Sequence, residues 1–381
     1  MTYLMNTKTK IISIAAAIVA AGAFTACSDW VTPEARDLRQ YPDDSYYEAL
    51  RAYKASDHSI AFGWLGGWNP TAATTFASLS GVPDSVDMVA IWSPFTPDEA
   101  QKAEMRSVRE KKGTKVVVTT LLTNIGLNAT PDEVTADAES DDEIVRLRRL
   151  YWGWTDDATP EQIETALRKY ANALVDIVLE NGYDGLDIDY EPSYWDHYGN
   201  IVSTIEEIPE QGEIYAGTTP AQRVNWFVDE CSKRLGPKST SGKMLIVDGE
   251  VALMPKETID CFDYFILQTY TCTRQASLDS RLNGLVTAFG DVLDKELITK
   301  KTIVTENFEN TSYASQGGVP MTLKDGTTTN SLYGMAIWEP DNGYRKGGFG
   351  AYYMQNDFRN DCYSYYRRAI TAMNSLGQEK E

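Results

Sequence analysis

The sequence predicts an α/β protein folded as a single (β/α)8 barrel. Eight short runs rich in Val, Ile and aromatic residues alternate with segments long enough to form helices. Strands separated in this way pair in parallel through crossover helices, and eight such units in about 320 residues match the size of a closed barrel. No Gly-rich phosphate loop follows the first run, which disfavours a doubly wound open sheet.

In chain order the candidate strands are SIAFGWLGGW from Ser59, SVDMVAIWS from Ser85, KVVVTTLLTN from Lys115, YDGLDIDYE from Tyr183, KMLIVDGE from Lys243, FDYFILQTY from Phe262, KTIVTENF from Lys301 and YGMAIWE from Tyr333. The clearest helix spans Pro160 to Glu180, where Ile163, Leu167, Ala171, Leu174, Ile177 and Val178 recur at helical spacing. Thr159 with Pro160 supplies its start, and Asn181-Gly182 its stop. The longest connections follow the third, fourth and seventh strands, at the ends where barrels build their sites. The charged run DAESDDEIVRLRR from Asp137 reads as a solvated helix face.

Residues 1–26 read as an export signal: Lys8 and Lys10, an apolar run from Ile11 to Phe24, then TAC. That run is about fourteen residues, short of the roughly 20 needed to span a bilayer. FTAC resembles a bacterial lipobox, with Phe24 where such motifs usually carry Leu. The resemblance implies cleavage before Cys27, lipidation of its thiol and a protein anchored in the outer membrane, facing the cell surface. Residues 27–57 are expected to form a tether and a short amphipathic segment, residues 58–375 the catalytic barrel, and residues 376–381 a tail.

The formal net charge is −20, and loss of the leader with its two lysines makes it more negative. Nucleic acid is excluded as a partner, because phosphate contacts need clustered Lys and Arg. Cys231, Cys261, Cys272 and Cys362 are widely and irregularly spaced, with no metal-binding pattern and no pairing that the sequence decides. His58 and His197 lack partners for a triad or metal site. No cofactor or metal is expected, and a monomer is.

DGLDIDYE, residues 184 to 191, concentrates four acids. On a strand, Asp187, Asp189 and Glu191 share one face while Leu186, Ile188 and Tyr190 share the other. In a barrel the acids then point inward, with Glu191 nearest the C-terminal mouth. A calcium loop counted from Asp187 would need Gly where Pro192 stands, whereas spacing alone leaves a magnesium carboxylate cluster open. Two carboxylates about 4 Å apart repel by roughly 4 kcal/mol at an effective dielectric near 20. One of them therefore holds a proton near neutral pH, as a general acid must.

This stretch resembles the D-x-x-D-x-D-x-E signature of glycoside hydrolase family 18, the chitinases and endo-β-N-acetylglucosaminidases. LQTY at the sixth strand resembles the family's tyrosine motif, and YGMAIWEPD its last strand. The third strand lacks the usual S-x-G-G, a departure that weakens long-chain chitin as substrate. The resemblance implies a (β/α)8 barrel and a retaining reaction in which the substrate's own acetamido group is the nucleophile. Glu191 would be acid and then base, Asp189 would hold the acetamido N–H, and Asp187 would share a proton with Asp189. Tyr270 would donate to the acetamido oxygen, Trp338 would floor the sugar site, and Gln268, of the same parity as Tyr270, would line the pocket. The expected substrate is an N-acetylglucosamine-containing glycan, foremost the chitobiose core of N-glycans. Chitooligosaccharides, or binding without cleavage, are the alternatives. Trp64, Trp92, Trp152 and Trp154 are read as packing residues rather than sugar platforms.

Overall fold

Seven of the eight apolar runs become strands of a closed parallel barrel, in a computed structural model that describes residues 42–195, 199–203, 215 and 217–378. They are β1 (Ile60–Leu65), β2 (Met88–Ile91), β3 (Lys115–Leu121), β4 (Gly185–Tyr190), β5 (Met244–Gly249), β6 (Tyr264–Gln268) and β7 (Thr302–Asn307). The eighth, β8, is Gly348–Tyr352, which pairs with both β7 and β1 and closes the cylinder. Each strand otherwise lies beside its neighbours in sequence, as short right-handed crossovers require. Cys27 and the leader lie outside the described residues, as does His197; His58 sits 3.1 Å from Asp87.

Alternation along the strands divides the interior into two layers. Ile60, Phe62, Trp64, Met88, Ala90, Val117, Ile246, Ile266 and Ile303 fill the barrel, while the intervening residues, such as Ala61, Val89, Leu186, Ile188 and Val247, pack beneath the helices. The helix Pro160–Glu180 has the boundaries its sequence predicts. Thr159 and Gln162 form a reciprocal capping box, worth about 1 kcal/mol in the N-cap bond alone. Ile163, Leu167, Leu174 and Val178 are fully buried along one stripe.

The run from Tyr333 is not a strand. Ser331–Ala336 form a helix started by the Asn330 side chain, which accepts from the Tyr333 amide at 3.0 Å. A short continuous apolar run has no periodicity to separate strand from helix, and the Asn cap decides it. The true last strand, GFGAY, hides behind its glycines, which are poor strand formers. They are needed because β1 approaches closely: a Cβ on Gly348 would lie 2.1 Å from the Ile60 carbonyl oxygen, and one on Gly350 2.4 Å from that of Phe62. The C-terminal helix runs to Gln378, past residue 375 where the barrel was expected to end.

The charged run from Asp137 contributes the helix Asp141–Trp152, exposed at Asp141, Asp142 and Arg146 but half-buried along much of its length; Trp152 is buried, and Arg149 is fully buried and donates to the Trp154 carbonyl at 2.7 Å. All four described cysteines are free, and of these only Cys362 is exposed.

Gly350→Ala is expected to destabilise the barrel by about 1–3 kcal/mol through overpacking against β1. A denaturation midpoint equal to wild type would show that the strands can part without cost.

Candidate active site

The inward residues at the C-terminal ends of the strands change from aliphatic to polar. Above Ile246 on β5 stands Asp248, above Ile266 on β6 stands Gln268, and β4 places Asp187 and Asp189 at the same levels. Register brings them together: Asp189 is the Cα partner of both Leu121 on β3 and Asp248 on β5. The motif's first acid, Asp184, lies below the site. It accepts from the Val116 amide and from Arg109 Nε, each at 2.9 Å, and ties β3 to β4.

Asp187 is 0% exposed, and its Oδ2 accepts from Trp64 Nε1 on β1 and Thr119 Oγ1 on β3, both at 2.9 Å. Burial pushes its carboxyl up to about 6 in spite of those donors. Burial also lifts Asp189 well above the usual carboxylate range, reinforced by the charges of Glu191 and Asp187. Gln268 Nε2 lies 2.9 Å from Asp248 Oδ1 and 3.4 Å from Asp189 Oδ1, and its amide also reaches Glu191. Glu191 follows the last residue of β4, half-buried at the mouth, and is raised first by desolvation and further by the neighbouring Glu250. A shift in that direction is the one a general acid at a barrel mouth needs.

Tyr270 follows β6 at the same mouth. Its hydroxyl is held far above its ordinary pKa by burial, then by Asp248, Asp189, Tyr352 and Glu191, so it remains a donor. Its ring stacks on Tyr352, centroids 6.3 Å apart and planes 24° from parallel. Tyr352, the last residue of β8, also meets Trp64 at 6.1 Å and Trp92 at 5.8 Å, completing an aromatic wall. The backbone that aims Tyr270 is constrained: Thr271 has φ 54°, unusual for a β-branched residue, and its amide donates to Glu306 Oε1 at 2.7 Å. Buried Glu306 also accepts from the Asn307 amide and bonds Ser331 Oγ, joining β7 to the segment that follows the hairpin Pro320–Thr322 with Thr328–Asn330.

Four of the expected site residues on β4 and β6 therefore converge with Glu191 or beneath it: Asp187, Asp189, Gln268 and Tyr270. Trp338 does not join them. It is 0% exposed in the layer between barrel and helices, and its carbonyl accepts from the buried Lys346 Nζ at 2.8 Å. Because its segment is not the eighth strand, it cannot floor a site in the barrel mouth; the aromatic that β8 delivers there is Tyr352. Trp152 and Trp154 are core packing, as expected, whereas Trp64 both fills the barrel and donates to Asp187. Asp248, Glu306 and Tyr352 were not singled out from sequence. Inward parity on β5, counted as it was on β4, was the signal available for Asp248. Among the described residues no group of three or more His, Cys, Asp or Glu side chains is arranged to hold a metal ion.

A half-buried glutamate whose pKa is raised, standing over buried aspartates in the mouth of a (β/α)8 barrel walled by aromatics, defines a glycoside hydrolase. The chain belongs to glycoside hydrolase family 18: the family's BT1044-like model matches residues 28–372. Endo-beta-N-acetylglucosaminidase F2 of Elizabethkingia meningoseptica is 25% identical over 317 residues, covering 81% of this chain and 76% of that protein. Among solved structures, a selenomethionine BT1044 variant with one glutamate changed to glutamine aligns with TM-score 0.70 at 26% identity, over 87% of this chain and 93% of that one. The apo endo-beta-N-acetylglucosaminidase of Cordyceps militaris shares the fold, with TM-score 0.60 at 19% identity over 88% and 97% of the two chains.

The buried aspartates couple stability to pH. Their folded-state pKa values lie above the unfolded value of about 3.9, so the native chain binds more protons and their contribution is complete below that pH. It is lost as pH rises through about 6 for Asp187, and as pH rises through the raised pKa values of Asp189 and Asp248. Asp187→Asn is therefore expected to lose less stability than wild type between pH 5 and pH 8, by on the order of 1–3 kcal/mol in urea unfolding. Parallel pH curves for the two proteins would contradict this.

Proposed function

We propose that the chain is a monomeric endo-β-N-acetylglucosaminidase that cleaves the GlcNAc-β-1,4-GlcNAc bond in the chitobiose core of N-glycans, with retention and by substrate assistance. The observation that carries the reading is the grouping of the Tyr270 hydroxyl, Asp189 and Glu191 at one mouth, a donor, an acceptor and an acid for a 2-acetamido sugar. The name of the Elizabethkingia relative supports it.

In this reading Glu191 gives its proton to the glycosidic oxygen as the C1–O bond breaks. The acetamido carbonyl oxygen attacks C1 from the opposite face, forming an oxazolinium. Asp189 accepts the acetamido N–H and balances the developing positive charge, sharing a proton with Asp187. Tyr270 donates to the acetamido oxygen and fixes its direction of attack. Glu191, now ionised, takes a proton from water as the water oxygen adds to C1. The oxazolinium ring opens, and configuration at C1 is retained after two inversions. Gln268 holds the carboxyls in place, and the Tyr352 ring offers an apolar face to the sugar.

Glu191→Gln is expected to lower kcat by about 10²–10⁴-fold while substrate still binds. The assay is mass spectrometry on a panel of N-glycans and chitooligosaccharides. Core-cleaved N-glycan supports the proposal, and cleavage confined to chitooligosaccharides makes the enzyme a chitinase. Affinity without products from the wild type defeats the catalytic reading for these substrates.

We also propose that the protein is exported and held to the outer membrane through lipid on Cys27, facing the cell surface; the charged start, apolar run and cysteine of the leader support this. Cys27→Ser should move the protein from the membrane to the soluble fraction. Continued membrane association of that variant would rule out the anchor.

A further inference from the structure

Asp248 has no place in the reaction outlined above, yet it is 1% exposed at the centre of the acidic cluster. Its carboxyl is in hydrogen-bonding contact with those of Asp187 and Asp189. Every other oxygen of the Asp187–Asp248 pair has a donor: Trp64 and Thr119 serve Asp187 Oδ2, and Gln268 serves Asp248 Oδ1. Asp187 Oδ1 and Asp248 Oδ2 are fully buried, and no donor among the described residues reaches them. Two buried oxygens that both lack a donor, on carboxyls in hydrogen-bonding contact, are satisfied together by one proton placed between them.

We infer that Asp248 is a positioning residue that holds a proton and donates it from Oδ2 to Asp187. The remaining groups around it fix which carboxyl carries that proton. Gln268 donates to Asp248 Oδ1, leaving Oδ2 as the protonated oxygen, while Asp187, with two donors on its other oxygen, is better suited to bear charge. Burial, then Asp189 and Asp187, shift Asp248 in the matching direction. Among the described residues no positively charged side chain accounts for neutralising the cluster, and the hydroxyl of Tyr270 is itself close enough to Asp248 to be perturbed by it. The consequence is a division of roles. With one proton locked on β5, the second proton is free to pass between Asp187 and Asp189 without leaving two bare carboxylates side by side.

This inference rests on the proposed reaction only for its catalytic consequence; the location of the proton stands apart from it. The direct test is the infrared difference spectrum, wild type minus Asp248→Asn, at neutral pH. The inference expects the carbonyl band of a protonated carboxyl, shifted in D2O and also perturbed in Asp187→Asn, which alters the acceptor. Absence of that band overturns it. If Asp248→Asn does not fold, the Asp187→Asn spectrum decides the matter by the same criterion. In kinetics, Asp248→Ala is expected to lower kcat by about tenfold or more with KM changed less than about threefold. Asp248→Asn, which restores a neutral donor toward Asp187, should recover most of that loss. Equal loss in the two variants overturns the inference, since an ionised Asp248 would be replaced by neither. Should the wild type cleave no GlcNAc–GlcNAc bond, the proposed function fails while the infrared result still decides where the proton lies.

Discussion

Three aspartates from two adjacent strands face one another in a water-poor barrel, and the rest of the site answers that crowding. Each ion taken from water into such an interior costs several kcal/mol unless it is paired or neutralised. Among the described residues no lysine or arginine pairs with Asp187, Asp189 or Asp248. Burial and mutual repulsion instead raise their affinity for protons, and neutral donors order them: the Trp64 indole, the Thr119 hydroxyl and the Gln268 amide. A cation in their place would hold the carboxylates ionised and would depress the acid that the mouth requires. Neutral donors order the cluster while leaving its pKa values high.

Backbone register makes this arrangement possible. Side chains alternate with a period of two, so sliding β5 past β4 by one residue would turn Asp248 outward into the apolar layer and bring Val247 to the acids. The two glycines of β8 let β1 approach closely enough to close the cylinder, and closure fixes every other register. At the mouth the constraint passes to Glu306, which holds Thr271 at a left-handed φ and so sets the direction of the preceding Tyr270. Two buried carboxyls thus have opposite tasks: Glu306 accepts backbone donors and fixes a loop, whereas Asp248 faces acids and manages a proton.

Much of this could be read from the chain. Seven strands announced themselves as β-branched runs between turn signals, and the helix Pro160–Glu180 through its cap, periodicity and stop. Asp187, Asp189 and Glu191 were visible because they alternate with Leu186, Ile188 and Tyr190, and Gln268 because it shares parity with Tyr270. The misreading at Tyr333 has a physical origin. Glycines weakened the true strand, and an apolar helix of six residues imitated it, which carried Trp338 into the site and left Tyr352 out. Asp248 escaped because a single acid in an apolar strand forms no motif; its meaning lies in the neighbour across the sheet. Glu306 escaped for a similar reason, since its partners are backbone amides that leave no mark on composition.

The same constraint bears on the proposed chemistry. A carboxyl that acts as a nucleophile must be ionised, and burial together with mutual repulsion keeps these aspartates from ionising freely. A glycosyl-enzyme bonded to Asp189 would therefore work against the forces that shape the cluster. A substrate that brings its own nucleophile removes the conflict. In the proposed reaction the acetamido oxygen would attack as a neutral group, positive charge would appear on the sugar only as the bond breaks, and the cluster would meet that charge by shifting a proton toward Asp187. A site whose buried acids share protons is poorly suited to attack a sugar, whereas in the proposed reaction moving a proton from Asp189 toward Asp187 leaves negative charge beside the oxazolinium. For that proposed reaction the crowding on β4 and β5 therefore favours substrate assistance over covalent catalysis, with the acetamido group, rather than the length of the glycan, as the feature this mouth would recognise.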